Sequence, residues 1–248
     1  LLTARSTRVR PGTDDKILVS WNALALTAFA EAGRYLGRKD YLAAAQRNAH
    51  FLLEHLVQDG RLLRSWRDGQ ADGRGHSRHN AYLEDYAALI LGLLALYQSD
   101  ANVEWYAVAF KMANEMTVHF ADPDGGFFDT RDDHETLLYR PKDVQDNATP
   151  SGNALAALAL LQLSAFTANG SWRDCAESAI AAILPAAERY PTAFAQWLCA
   201  ADWAVGPIQE VAILGGAGAP ETQALVDSLW ATYRPRVVAA ISAWPAQA

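Results

Sequence analysis

Apolar residues along this chain fall into two alternating kinds of block. Residues 18–36, 82–97 and 150–166 are apolar on nearly every side (ALALTAFA, YLEDYAALILGLLALY, ALAALALLQLSAF), the pattern of helices buried among neighbours. Residues 41–56, 103–120 and 172–189 carry a single apolar stripe instead. In the first of these Leu42, Ala45, Ala49, Leu52, Leu53 and Leu56 recur at steps of three and four, with Gln46, Arg47 and Glu54 mainly off the stripe. The first two striped blocks are each followed by a glycine-marked turn and a short piece with strand character, at residues 61–66 and again at GGFF, and then by a polar loop such as residues 67–80.

Buried helix, tight turn, striped helix, short strand and polar loop therefore form one unit, seen three times at a period of about 65 residues. Pairing an all-round apolar helix with a one-sided helix predicts two concentric layers, and hairpins stacked sideways in two layers curve towards an (α/α) toroid. The expected fold is all-α, an incomplete ring of about four hairpins. A fourth unit starts near Phe194. Residues 211–214 read as a short C-terminal strand, and residues 222–233 as a last helix. The glycine-rich GGAGAPE between them makes a weak dinucleotide fingerprint: the last glycine of a G-x-G-x-x-G spacing is missing, and a parallel strand–helix–strand setting is not evident.

In such a ring every loop leading from an outer to an inner helix emerges on one face. Three charged loops precede inner helices: Asp14, Asp15 and Lys16 before Trp21 and Asn22; His76, Arg78 and His79 before Glu84, Asp85 and Tyr86; Arg140, Lys142, Asp143 and Asp146 before Ser151 and Asn153. Thr149-Pro150-Ser151 is a helix start signal. Carboxylates, amides and aromatic rings around one depression suit carbohydrate, since rings stack on pyranose faces and two carboxylates can divide acid and base roles across a glycosidic bond. Asp15, Glu84, Asp85 and Asp146 are the candidate acid/base residues, and Asp14, Lys16, Trp21, Asn22, His79, Tyr86, Arg140, Lys142, Asp143, Ser151 and Asn153 the candidate binding residues. A structural reading stands beside this one, because acidic residues in a helix's first turn also serve capping and the dipole, and Trp21 and Tyr86 also suit packing at the core edge.

Composition narrows the partners. Hydrophobic residues make up 51% and charged residues 20% of the 248 residues, an ordinary globular balance. A formal net charge of -7 without a Lys/Arg-rich run argues against nucleic acid or an anionic membrane. No apolar stretch spans a bilayer, and nothing resembles a signal peptide. Cys175 and Cys199 are too few and too far apart for a zinc knot or redox pair, which fits a reducing, cytoplasmic setting. His76 and His79 have no third ligand nearby, so neither metal nor cofactor is expected.

Five ordered motifs add a resemblance. RPGTDDKILVSWNAL, YLEDYAALILGLLALY, GGFFDT, LLYRPKDVQDNATPSGN and VAILGGAGAPETQALV resemble the family of spermatogenesis-associated protein 20 and its bacterial relatives, over almost the whole chain. Members of that family pair an N-terminal thioredoxin-like domain with an (α/α)6 barrel of the six-hairpin glycosidase type, akin to N-acylglucosamine 2-epimerases. The resemblance implies that residues 1–248 are the C-terminal portion of the barrel, with the thioredoxin-like domain and first hairpins lying outside it. An incomplete ring would expose apolar inner-helix surface, so self-association or local disorder at its ends is expected. Ala23 stands where the family usually has glycine, and Pro11-Gly12-Thr13 replaces a usual Pro-His pair. Three functions follow as alternatives: a glycosidase-like hydrolase using the carboxylates, a sugar epimerase with His79 as base, or a non-catalytic scaffold for the thioredoxin-like domain.

Overall fold

The computed structural model describes residues 1–69, 75–135, 138–216 and 218–244. A short helix α1 (Leu2–Ser6) and strand β1 (Ile17–Leu18) lead into α2 (Val19–Tyr35) and α3 (Lys39–Leu56). Strands β2 (Val57–Gln58), β3 (Arg61–Arg67) and β4 (His76–Asn80) separate them from α4 (Leu83–Asp100) and α5 (Val103–Phe120). After a long loop come α6 (Gly152–Thr167), α7 (Gly170–Arg189), a 3-10 turn (Pro191–Ala193) and α8 (Ala195–Val205), then β5 (Gln209–Gly215), α9 (Pro220–Trp230) and β6 (Val237–Ala243).

The two layers are present. Helices α2, α4, α6 and α8 pack side by side in sequence order, while α3 covers α2, α5 covers α4 and α7 covers α6. Helix α4 sits between α2, α5 and α6 and is buried almost throughout, as its all-round apolar sequence requires. Helix α3 buries only Ala45, Ala49, Leu52 and Leu56, the expected stripe. The second and third hairpins turn in the same way. Ala101 (φ 59°) and Ala168 (φ 54°) each end an inner helix in the left-handed region. Asn102 and Asn169 then cap the next helix, accepting from Glu104 N at 3.0 Å and Ser171 N at 3.1 Å.

All four inner helices begin at one end of the arc. Asp85 at the start of α4 bonds Ser20 N at the start of α2, and Gly152 at the start of α6 lies against the backbone of Glu84. Asp146 ties the starts of α6 and α8 by accepting from Ser151 N and Gln196 N, both at 2.8 Å. The opposite end carries the C-terminal unit: Tyr35 Oη donates to Arg234 O at 3.4 Å, and Gln98 Oε1 accepts from Ala239 N at 3.0 Å.

Three expectations need correction. Helix α2 is not buried on all sides: it packs on α3 and α4, and Trp21 (62% exposed) and Phe29 (41%) remain open to solvent. The polar segment 67–80 is not all loop, because β4 pairs antiparallel with β3 from Leu63↔Asn80 to Arg67↔His76; residues 70–74 lie outside the described set. The tail holds two strands rather than one. Strands β5 and β6 pair in parallel with α9 between them, so GGAGAPE does sit in a parallel strand–helix–strand unit, although its Ala217 is outside the described residues.

Candidate functional site

At the shared end of the inner helices lies a cavity of about 350 Å³, lined by the starts of α4 (Tyr82, Glu84) and α6 (Pro150, Ser151, Gly152). The connection between α5 and α6 supplies the rest: Asp129, Thr130, His134, Glu135, Pro141, Asp143, Gln145, Asn147 and Thr149. Two of the three charged loops thus meet, through Glu84, Asp143 and Ser151. The first does not line the cavity, for Asp14 pairs with Lys16 at 3.2 Å and Asp15 with Arg67.

Several candidates turn out to hold the framework. Asp85 is fully buried. It accepts from Tyr82 N (2.9 Å), closing a capping box, from Ser20 N (3.0 Å) and from Arg64 Nη1 (3.1 Å). Burial pushes its carboxyl up to about 6, against the pull of Arg64 and the two N–H donors. Tyr86 is also fully buried, and its hydroxyl accepts from Leu62 N and Arg131 Nη1, both at 3.3 Å. Asn153, 1% exposed, accepts from Phe127 N at 2.8 Å and donates to Phe127 O at 2.9 Å and Asp143 O at 3.3 Å, clamping the GGFFDT segment to α6. Asn22 Nδ2 donates back to Leu18 O at 2.9 Å within its own helix. His79 is exposed on β4 with φ 63° and is not among the cavity residues. Trp21 is exposed on the first turn of α2 and does not pack in the core.

Arg140 and Lys142 do not form a lattice with Asp143 and Asp146. Arg140 stacks over Phe128 at 4.1 Å and donates to His119 O (3.1 Å) and Thr130 O, while Lys142 pairs with Asp122 at 3.0 Å and donates to Gly125 O. Both fasten the loop to itself and to the end of α5. His119, Asp132 and Asp133 gather in a metal-like cluster, but Arg61 (2.7 Å) and Arg131 (3.1 Å) already hold Asp133, and His119 Nδ1 pairs with Asp132 at 2.8 Å. A charge network accounts for that cluster.

Among the residues of the site that escaped the sequence reading, Thr130, His134 and Glu135 included, two stand out. Arg64, placed by β3 beneath the start of α4, joins Glu84 at 2.9 Å and lies over Tyr82 at 4.5 Å. Asp129 is the other. Its main chain is pinned on both sides, N–H to Pro141 O (2.8 Å) and C=O to Leu83 N (2.9 Å), and its carboxylate accepts from Asp143 N at 2.9 Å. Burial pushes it up to about 6; the Asp143 N–H opposes this, and the negative charges of Asp143 and Glu84 add to it. An acid following two phenylalanines in GGFFDT, the first of them a core residue, was the signal available.

Human spermatogenesis-associated protein 20 is 32% identical to this chain over 244 residues, 96% of the chain, and the mouse protein gives the same figures. This chain is a relative of spermatogenesis-associated protein 20. It spans 31% of the length of those curated relatives. No family model matches it. Among solved structures, cellobiose 2-epimerase from Spirochaeta thermophila superposes with a TM-score of 0.53 at 20% identity, over 69% of this chain and 44% of that one. The unsaturated glucuronyl hydrolase of Bacillus sp. GL1 (TM-score 0.53, 17% identity, 71% and 49% covered) and the GH76 α-mannanase of Bacteroides thetaiotaomicron (0.52, 15%, 70% and 42%) also match. These likenesses show the fold, that of an (α/α) toroid. No helix among the described residues is long and apolar enough to cross a membrane.

Proposed function

We propose that the cavity at the starts of α4 and α6 is a carbohydrate site working by carboxylate acid/base chemistry, as in a glycoside hydrolase. The observation that carries this is Asp129, a carboxyl held near pH 6 beside Glu84 and Asp143 in one cavity. A group with that value keeps its proton in mildly acidic solution and gives it to a departing glycosidic oxygen. Glu84 or Asp143 serves as the complementary base for water. The named activities of the toroid neighbours, a sugar epimerase, a mannanase and a glucuronyl hydrolase, support a sugar as the substrate class.

A second reading rests on His134, which lines the same cavity and whose buried Nδ1 has no hydrogen-bond partner. An imidazole so placed suits proton removal from a carbon acid, the chemistry of a sugar epimerase, and replaces His79 in that role. Incubation with a panel of disaccharides, followed by NMR, separates the two. Release of reducing ends that falls at least about a hundredfold in Asp129→Asn supports the hydrolase. Change at C2 without cleavage, lost in His134→Ala, supports the epimerase. No turnover of any sugar, with no sugar bound, leaves the scaffold alternative.

In this reading residues 1–248 form part of the barrel of a longer, cytoplasmic protein and work alongside a thioredoxin-like domain of the same chain. Its length relative to the curated relatives supports a further region.

A further inference from the structure

We propose, building on the carbohydrate reading, that this cavity selects its sugar by charge: it takes neutral and amino-bearing glycosides and rejects uronates and sugar phosphates. Four carboxylates, Glu84, Asp129, Glu135 and Asp143, line it, and among its described lining residues there is no lysine or arginine. The cations nearby are committed elsewhere. Arg64 is spent on Glu84 and Asp85, Arg140 on two main-chain carbonyls, and Lys142 on Asp122.

Helix starts ordinarily attract anions through their free N–H groups. Here part of each helix start is already engaged. Asp85 caps α4 and reaches across to α2, while Ser151 Oγ accepts from Ala154 N and Asp146 from Ser151 N on α6. An anionic substituent would meet four carboxylates and no lysine or arginine side chain, and an ammonium group would meet carboxylate acceptors.

The cavity also holds a group fitted to a neutral polar ligand. Thr130 is 4% exposed, lines the cavity, and its Oγ1 has no hydrogen-bond partner. A buried hydroxyl without a partner is costly, and a sugar hydroxyl, which both donates and accepts, satisfies it.

The test is calorimetric titration of the chain, near neutral pH, with methyl glycosides of glucose, glucosamine and glucuronic acid. The amine should bind at least about tenfold more tightly than the acid, with glucose between them. Raised salt or Asp143→Asn should narrow that ratio, and Glu135→Gln, at an exposed position, gives the same readout should Asp143→Asn fail to fold. Thr130→Val should weaken all three alike. Equal binding of the three, or tighter binding of the acid, overturns charge selection while the carbohydrate reading stands. Absence of binding by all three overturns the carbohydrate reading and this inference with it.

Discussion

The carboxylate of Asp85, on the first turn of α4, accepts the backbone N–H of Ser20, on the first turn of α2, at 3.0 Å. One side chain therefore caps its own helix and its neighbour's. Asp146 repeats the device between α6 and α8. Asp85→Ala should cost about 3 kcal/mol, since it orphans two buried donors and removes the buried partner of Arg64, and Asp146→Ala about 2 kcal/mol. Urea unfolding curves measure both. A loss under about 0.5 kcal/mol for either would show that the inner helices do not depend on these bridges.

Asp129 should oppose stability while serving chemistry. Its folded value, about 6, lies above the unfolded 3.8, so the folded protein holds this proton more tightly than the unfolded chain. The contribution is fully present below about 3.8 and lost as pH rises through 6. Asp129→Asn should therefore leave the protein more stable above pH 6 by about 1 kcal/mol, a figure discounted for partial exposure, and should flatten stability between pH 4 and 6. Thermal unfolding across that range checks it. A variant destabilised at every pH would mean that the carboxylate is structural.

Gly152 is where α6 meets α4. A Cβ there would stand 3.0 Å from Glu84 N and 3.3 Å from Glu84 Cα, main-chain atoms that cannot swing aside. Gly152→Ala should cost about 1–3 kcal/mol and shift Glu84 relative to Asp143. Sugar binding should fall more than stability alone explains, which titration of the still-folded fraction would reveal.

Ala101 and Ala168 hold left-handed turns that glycine adopts without strain. Ala101→Gly and Ala168→Gly should each stabilise by about 0.5–1 kcal/mol and leave the cavity untouched. Melting temperatures measure this, and a drop in both would show that the turns are not strained.

Periodicity sets the layers. All-round apolar blocks must be enclosed and striped blocks must face one way, so α4, with no hydrophilic side after its first turn, and α3, with its Ala45 to Leu56 stripe, were legible from periodicity alone. Which polar residues face the cavity depends on contacts between distant segments. Asp85 and Asp129 are both acids beside apolar runs, and periodicity cannot separate them. What separates them is how fully each is enclosed: Asp85 is fully buried and held by Ser20 N, Tyr82 N and Arg64, whereas Asp129, among the described residues, accepts from Asp143 N alone and lines the cavity. Arg64, β4 and β6 escaped for a related reason, because a strand's place is set by partners that are distant in sequence. Local pattern governs burial, and long-range hydrogen bonding governs which buried or half-buried charge remains free to act.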